Sequence, residues 1–315
     1  MTIKQTAIIG AGAIGVGWAI VFARSGVQVN VYDSDESQLD SFHSRVAERL
    51  KLLEENQLLT RTPAEILQQI QVFDTLSAAC ADASYIQECG PERIEIKRAL
   101  ISELEKSIPQ DAIIASSTSA LKPSQISAEA DFPERFLVVH PANPPYLLPI
   151  AELVPSTQTN PEVSQRVYEF LKAVGMQPVI INGEPEGFVF NRLQGAVLRE
   201  AYCLVRDGVI SAKELDLVVT QALARRWSLI GPFTTSALNV KGGNRAHAAR
   251  MKESYHRMGL ERGQDDPWSE ELIERVSESV EENWKIDDWE KNVMRRDLAL
   301  MRLLKYIQQD PDLTL

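Results

Sequence analysis

The strongest constraint on the fold lies within the first 33 residues, where an apolar run, Ala7-Ile8-Ile9, leads into Gly10-Ala11-Gly12-Ala13-Ile14-Gly15. A helical pattern carrying Trp18, Ala19, Ile20 and Phe22 follows, and a second apolar run ends in Asp33, eighteen residues after Gly15. Glycine clusters also serve ordinary turns, so the spacing alone decides little. The strand before, the amphipathic helix after and the acid closing the second strand narrow the pattern to a βαβ unit that binds a dinucleotide. Glycines allow the tight turn and let backbone N–H groups approach a pyrophosphate, to which the helix N-terminus adds partial positive charge. Gly10, Gly12, Ala13, Ile14 and Gly15 are therefore expected around the phosphates. Asp33 is expected to accept hydrogen bonds from the adenosine ribose and to repel a 2′-phosphate; Ser34, not an arginine, follows it. The expected cofactor is NAD rather than NADP.

The alternation continues along the chain. Short β-rich runs at 6–9, 27–32, 85–88, 112–115, 136–140 and 179–181 are separated by helical stretches near 14–25, 36–58, 93–106 and 161–174. Strands spaced by helices in this way imply an α/β, Rossmann-type doubly wound sheet. Beyond Asn182-Gly183-Glu184 the pattern turns helical throughout. Apolar residues recur three and four apart over 188–205 and 215–224, and a long amphipathic helix is expected over 284–309. Two parts are predicted: a dinucleotide-binding domain over 1–182 and an all-α domain over 183–315. The stretches 188–224 and 284–307 carry more apolar positions than one small domain buries, which predicts a homodimer through the helical part.

Bulk properties exclude several partners. A net charge of −11 over 315 residues, with no run of Lys or Arg, argues against nucleic acid or an anionic membrane surface. No apolar run reaches the ~20 residues that span a bilayer. The chain enters its first strand without room for a signal peptide, so a cytoplasmic location is expected. Cys80, Cys89 and Cys203 lack metal-type spacing and are an odd number, so free buried thiols and no metal site are expected.

Of the four histidines, His43, His247 and His256 lie in polar or charged segments. His140 closes the apolar run Phe136-Leu137-Val138-Val139 and precedes Pro141-Ala142-Asn143-Pro144. The carboxyl ends of strands border the ligand crevice in a doubly wound sheet. On position alone, a structural and a catalytic histidine remain equally good readings.

Gly10-x-Gly12-x-x-Gly15, Ser116-Ser117-Thr118-Ser119, His140-Pro-x-Asn143-Pro, Glu152-Leu-Val and Gly187-Phe-Val-x-Asn191-Arg192 together resemble the L-3-hydroxyacyl-CoA dehydrogenase superfamily. The run His140-Pro-Ala-Asn-Pro-Pro-Tyr146, with Ala224-Arg225-Arg226-Trp227 and Ile230-Gly231-Pro232, is most similar to its lambda-crystallin (L-gulonate 3-dehydrogenase) branch. The resemblance runs in order over almost the whole chain. It implies His140 as general base and Glu152 as the carboxylate on its other ring nitrogen, twelve residues on and within reach of a neighbouring strand. It also implies Ser119 on the reacting oxygen and Asn191 on the substrate's second oxygen. Glu92 and Lys97 would lie near the nicotinamide ribose, with Ser117 and Asn143 bordering the nicotinamide. Each has a plainer reading: Glu152 a strand-end acid, Ser119 a helix cap before Leu121-Lys122-Pro123, Asn191 a solvent-facing amide, Glu92 and Lys97 an exposed helix face.

The substrate stays open at this level. An acyl-CoA needs a basic rim, for which Arg45, Arg49, Lys51 and Arg61 offer themselves. A small hydroxy acid needs one cation for its carboxylate, and Arg226 is the candidate, although an exposed helix-end arginine reads equally well. Carnitine would require an aromatic cage, with Trp227 and Tyr146 the obvious contributors. The preferred order is a gulonate-like hydroxy acid, a short 3-hydroxyacyl-CoA, then carnitine. The alternative from another class is a non-catalytic, crystallin-like NAD-binding protein.

Overall fold

In a computed structural model, residues 3–262, 269–271, 274 and 288–309 are described. Eight strands form one sheet in the order β3-β2-β1-β4-β5-β6-β7-β8. They are β1 (Gln5–Ile9), β2 (Gln28–Tyr32), β3 (Ile70–Val72), β4 (Tyr85–Glu88), β5 (Ile113–Ser116), β6 (Phe136–Pro141), β7 (Ile150–Pro155) and β8 (Gln177–Ile180). The first six run parallel; β7 pairs antiparallel with β6 and parallel with β8. The doubly wound α/β expectation therefore holds, and an all-α segment follows it. Two strands add to the six expected. β3 has only three residues, one of them the exposed Gln71, and β7 emerges from the proline-rich run 144–149, which reads as loop.

Local chemistry accounts for the element ends. Thr62 and Glu65 form a capping box on Pro63–Leu67, and Asn160 caps Pro161–Ala173 with proline at its first position. The stretch expected as one helix over 36–58 divides at Ser41 into Glu36–Asp40 and Phe42–Glu55. Helix Ala13–Arg24 is not amphipathic: Gly15 through Ala23 are all buried. It lies between the sheet and the helices Phe42–Glu55 and Pro63–Leu67, and a Cβ at Gly17 would meet Pro145 Cδ at 2.6 Å. Trp18, Phe22, Tyr85 and Phe170 stack there, with adjacent ring centres 5.1–5.9 Å apart.

The chain divides into two compact units, Met1–Arg192 and Leu193–Leu315. The division falls inside helix Phe190–Arg206, whose first turn bonds to residues of the sheet unit (below). In the second unit, Ala212–Val218, a π-helical turn over Val219–Leu223 and Ala224–Trp227 form one run, followed by Pro232–Leu238 and Gly243–Glu261. Arg262 ties this unit together through Glu200 at 3.3 Å and Asp207 at 2.6 Å. The expected tail helix is present as Trp289–Gln309, its predicted start at 284 lying outside the described residues. Among the described residues no helix is long and apolar enough to cross a membrane.

Candidate active site

The carboxyl edge of the parallel strands carries the site. Gly10 follows β1 with φ +109°, and a Cβ there would stand 2.6 Å from the Cys89 carbonyl oxygen. Gly15 packs on the same turn, a Cβ on it falling 2.0 Å from the Gly10 oxygen. Gly12 differs: nothing lies within 4 Å of where its Cβ would be. It begins helix Ala13–Arg24, which no side chain caps, so the N–H groups of its first turn face this open space. Asp33 accepts from Ala11 N at 2.6 Å and Asp35 N at 2.9 Å, and so sets the loop as well as facing it. Arg45 clamps the loop's outer side, donating to the Ala11 oxygen at 2.6 Å. A cavity of about 730 Å³ opens beside the loop, lined by Gly10, Gly12, Asp33, Gln38, Leu76 and Cys89 among others. An uncapped helix end, a cradle a single methyl would fill and an acid beyond it fit a dinucleotide: pyrophosphate at Gly12, adenosine ribose at Asp33.

At the end of β6, His140 stands directly across from Glu152 of β7 in the antiparallel register. His140 Nδ1 lies 2.8 Å from Glu152 Oε2, with the residues 7% and 3% exposed. The other oxygen, Oε1, accepts from the backbone N–H groups of Val189 at 2.8 Å and Phe190 at 2.9 Å. Gly187 and Phe188 turn the chain for this purpose, with φ of +73° and +51°. The left-handed Phe188 is strained by about 1–3 kcal/mol, and its complete burial holds it there. Burial pushes the Glu152 carboxyl up, but the hydrogen bonds from His140, Phe190 and Val189 outweigh it and hold the group below its ordinary value. Glu152 is therefore a carboxylate, not a strand-end acid in solvent. It fixes Nδ1–H of His140 toward itself and leaves Nε2 as the basic nitrogen.

A second carboxylate organises the loop after β5. Glu92 Oε1 accepts from the Thr118 hydroxyl at 2.5 Å, Ser119 N at 2.9 Å, Ala120 N at 3.1 Å and the Ser119 hydroxyl at 3.3 Å. Burial raises its pKa, but these bonds and Lys97 at 3.8 Å outweigh that and hold it low. Asn191, in the first turn of Phe190–Arg206, donates to the Ser119 carbonyl at 2.8 Å. Ser119 and Asn191 thus adjoin, and neither is a free surface group.

Lys97 is not on an exposed helix face: it is 1% exposed and donates to Glu88 Oε1 at 2.9 Å, Glu88 Oε2 at 2.8 Å and the Gly90 oxygen at 3.2 Å. All three ammonium hydrogens are engaged, so Lys97 shapes the cofactor edge from beneath. Glu88, an acid at the end of the apolar β4 that no sequence motif singles out, also accepts from the Ser116 hydroxyl at 2.5 Å. Ser117 is half-buried and hydrogen-bonded, and Asn143 is exposed just past β6. Arg226 is exposed in the second unit, directly after the π-helical turn.

Comparison with known proteins accords with this geometry. The model of the 3-hydroxyacyl-CoA dehydrogenase NAD-binding domain matches residues 5–184, and that of the family's C-terminal domain matches 187–280. The chain belongs to the 3-hydroxyacyl-CoA dehydrogenase family. Like the family, it is an NAD-dependent dehydrogenase acting on a CH–OH group. It is 35% identical over 311 residues to a 3-hydroxyacyl-CoA dehydrogenase of Gibberella moniliformis, covering 96% of this chain and 94% of that one. It is also 35% identical to the human lambda-crystallin homolog, covering 96% of each. Among solved structures, 5-formyl-3-hydroxy-2-methylpyridine 4-carboxylic acid 5-dehydrogenase, an NAD+-dependent dismutase, superposes with a TM-score of 0.84 at 25% identity, over 98% of this chain and 99% of that one.

Proposed function

We propose that the protein oxidises the 3-hydroxyl of a small, L-gulonate-like L-3-hydroxy acid to the 3-oxo acid, with His140 as the base. The observation that carries this reading is the buried His140–Glu152 pair at the end of β6, on the same sheet edge as the dinucleotide loop after β1. NAD, when bound, supplies the hydride acceptor. As hydride leaves C3, Nε2 of His140 takes the hydroxyl proton, and the ionised Glu152 stabilises the imidazolium through Nδ1. Ser119 hydrogen-bonds the oxygen that becomes the carbonyl, and Asn191 holds the substrate's second oxygen. On the cofactor side, Asp33, Glu92 and Asn143 are assigned to its ribose and nicotinamide edges.

A free acid is favoured over a CoA thioester by what the basic residues are doing. Arg45, the best-placed of the proposed rim, is bound to the Ala11 and Gln38 carbonyls, and Arg49 to the Arg45 carbonyl. Lys51 has Glu55 4.0 Å away. Arg226 is our choice for the substrate carboxylate; π-helical turns such as Val219–Leu223 mark functional sites often, and this one sets the phase of the Arg225-Arg226-Trp227 turn. NADH formation measured in parallel with L-gulonate, L-carnitine, L-3-hydroxybutyrate and L-3-hydroxybutyryl-CoA tests the choice. Turnover of a free acid without the thioester is expected, with Arg226→Ala raising its KM at least about 30-fold. Exclusive turnover of the thioester would remove the substrate assignment.

The helical unit is assigned as the dimer surface, in a cytoplasmic enzyme. Leu193, Leu217, Phe233, Leu238 and Leu260 are 54–82% exposed there, apolar side chains that a second copy of the chain can cover. Light scattering after size exclusion is expected to give twice the 35.2 kDa chain mass. A monomer at micromolar concentration contradicts it.

A further inference from the structure

The turn that offers the N–H groups of Val189 and Phe190 to Glu152 has an anchor of its own, away from the reacting groups. Glu184 begins that turn, and its Oε1 accepts from Ser124 N at 2.6 Å. Ser124 lies in the short helix Pro123–Ile126, which follows the loop carrying Ser119. The first turn of this helix explains the bond. Pro123 has no N–H, Gln125 and Ile126 donate to the Lys122 oxygen, and Lys122 provides no side-chain cap. The Ser124 N–H is the donor left over, and a carboxylate is a strong acceptor for it.

Asn191 makes a second bond between the same two segments, from Nδ2 to the Ser119 oxygen. The loop after β5 and the turn before helix Phe190–Arg206 are thus joined at Ser119–Asn191 and at Ser124–Glu184. Asn191 is assigned to the substrate as well, whereas Glu184 serves the frame.

The turn needs this hold. Gly187 and Phe188 both have positive φ, and a phenylalanine stays in the left-handed region only where its surroundings over-determine it. Burial of the Phe188 ring is one constraint. The bond from Phe188 N to the Pro185 oxygen at 3.0 Å is another, and it links Phe188 to the residue next to Glu184. Released at Glu184, the turn relaxes toward ordinary φ and draws the two N–H groups off Glu152 Oε1. The carboxylate then loses its orientation on Nδ1 of His140, which matters most as the imidazole takes the proton.

We propose that Glu184 is a positioning residue for the proton transfer: by holding Ser124 it fixes the turn whose N–H groups orient Glu152 behind His140. This rests on the assignment of His140 as the base. Glu184→Ala tests it, assayed by NADH formation and by hydrogen exchange resolved along the chain. Ser124 and Glu184 are half-buried, so water can replace the lost acceptor and the fold is retained. An orientation that counts in the transition state appears in kcat. A fall in kcat of about 10-fold is expected, with KM and the Kd for NAD within about twofold of wild type. Amide exchange over 187–190 is expected to quicken about 10-fold. Unchanged kcat overturns the proposal. So does faster exchange confined to 123–127, which would make Glu184 a helix cap and nothing more. Should Glu184→Ala not fold, Glu184→Gln decides, because its neutral oxygen still accepts but more weakly. It is expected to lose about 3-fold in kcat with faster exchange over 187–190, and wild-type values in both overturn the proposal. If wild type oxidises no 3-hydroxy acid, the functional reading fails by itself. Exchange over 187–190 then decides whether Glu184 holds the turn, and wild-type exchange in Glu184→Ala overturns it.

Discussion

His140→Gln is expected to lower kcat by about 10²–10⁴-fold while leaving the Kd for NAD unchanged, as measured by NADH absorbance and by calorimetry. Glutamine keeps most of the volume and a polar group facing Glu152, so the fold is retained. It has no basic nitrogen, so the hydroxyl proton has nowhere to go as the hydride leaves. The loop from Gly10 to Gly15 and Asp33 does not touch this pair, which is why cofactor affinity should stand. Undiminished turnover would remove His140 from the chemistry. Glu152→Gln is the companion variant and also lowers kcat, because Nδ1–H is then no longer held against an anion. Its stability carries a further signature. Glu152 is held below its ordinary value of 4.5 in the folded protein, so its ionic contribution is complete above that value. It is lost as the pH falls through the lower, folded value. The thermal advantage of wild type over Glu152→Gln should shrink as the pH falls below about 4.5.

Much of this was legible in the residues because the chemistry is local. The glycine spacing, the acid ending β2 and the histidine ending β6 each follow from one strand and its next turn. The twelve-residue separation of His140 and Glu152 reflects a strand, a turn and an antiparallel return, which places the two in register. What was missed depends on which face of an element turns inward. Glu92, Arg93, Glu95, Lys97 and Arg98 look like a charged surface, yet Lys97 shares its helix face with the buried Ile101 and Leu104. That four- and seven-residue spacing was the available signal, and Glu88, an acid at the end of an apolar strand, was its partner. The bonds from Trp18 and Gln87 to the Ser117 hydroxyl could not be read in the same way. They join β4, β5 and the helix after β1, and those neighbours exist only once the strand order β1-β4-β5 is known. A tryptophan buried in an apolar helix does signal that its N–H needs an acceptor somewhere.

The two inner glycines of the loop should fail in opposite ways. Gly15→Ala is expected to destabilise the protein by at least about 3 kcal/mol, because the new Cβ would fall 2.0 Å from the Gly10 backbone oxygen. No rotamer relieves a clash between two backbone-anchored atoms, so the turn itself must open. For a unit of this size that loss lowers Tm by about 6–12 °C. Gly12→Ala meets nothing within 4 Å, and its φ of −68° suits any residue. Its fold and Tm should therefore match wild type to within about 1–2 °C. The methyl nevertheless occupies the space over the uncapped helix end, where backbone N–H groups must reach a pyrophosphate. Losing one or two such charge-assisted bonds raises the Kd for NAD about 10²-fold. If Gly12→Ala bound NAD normally, the pyrophosphate would have to lie elsewhere, and the order of groups along the sheet edge, from Asp33 to Ser117 and His140, would have to be redrawn.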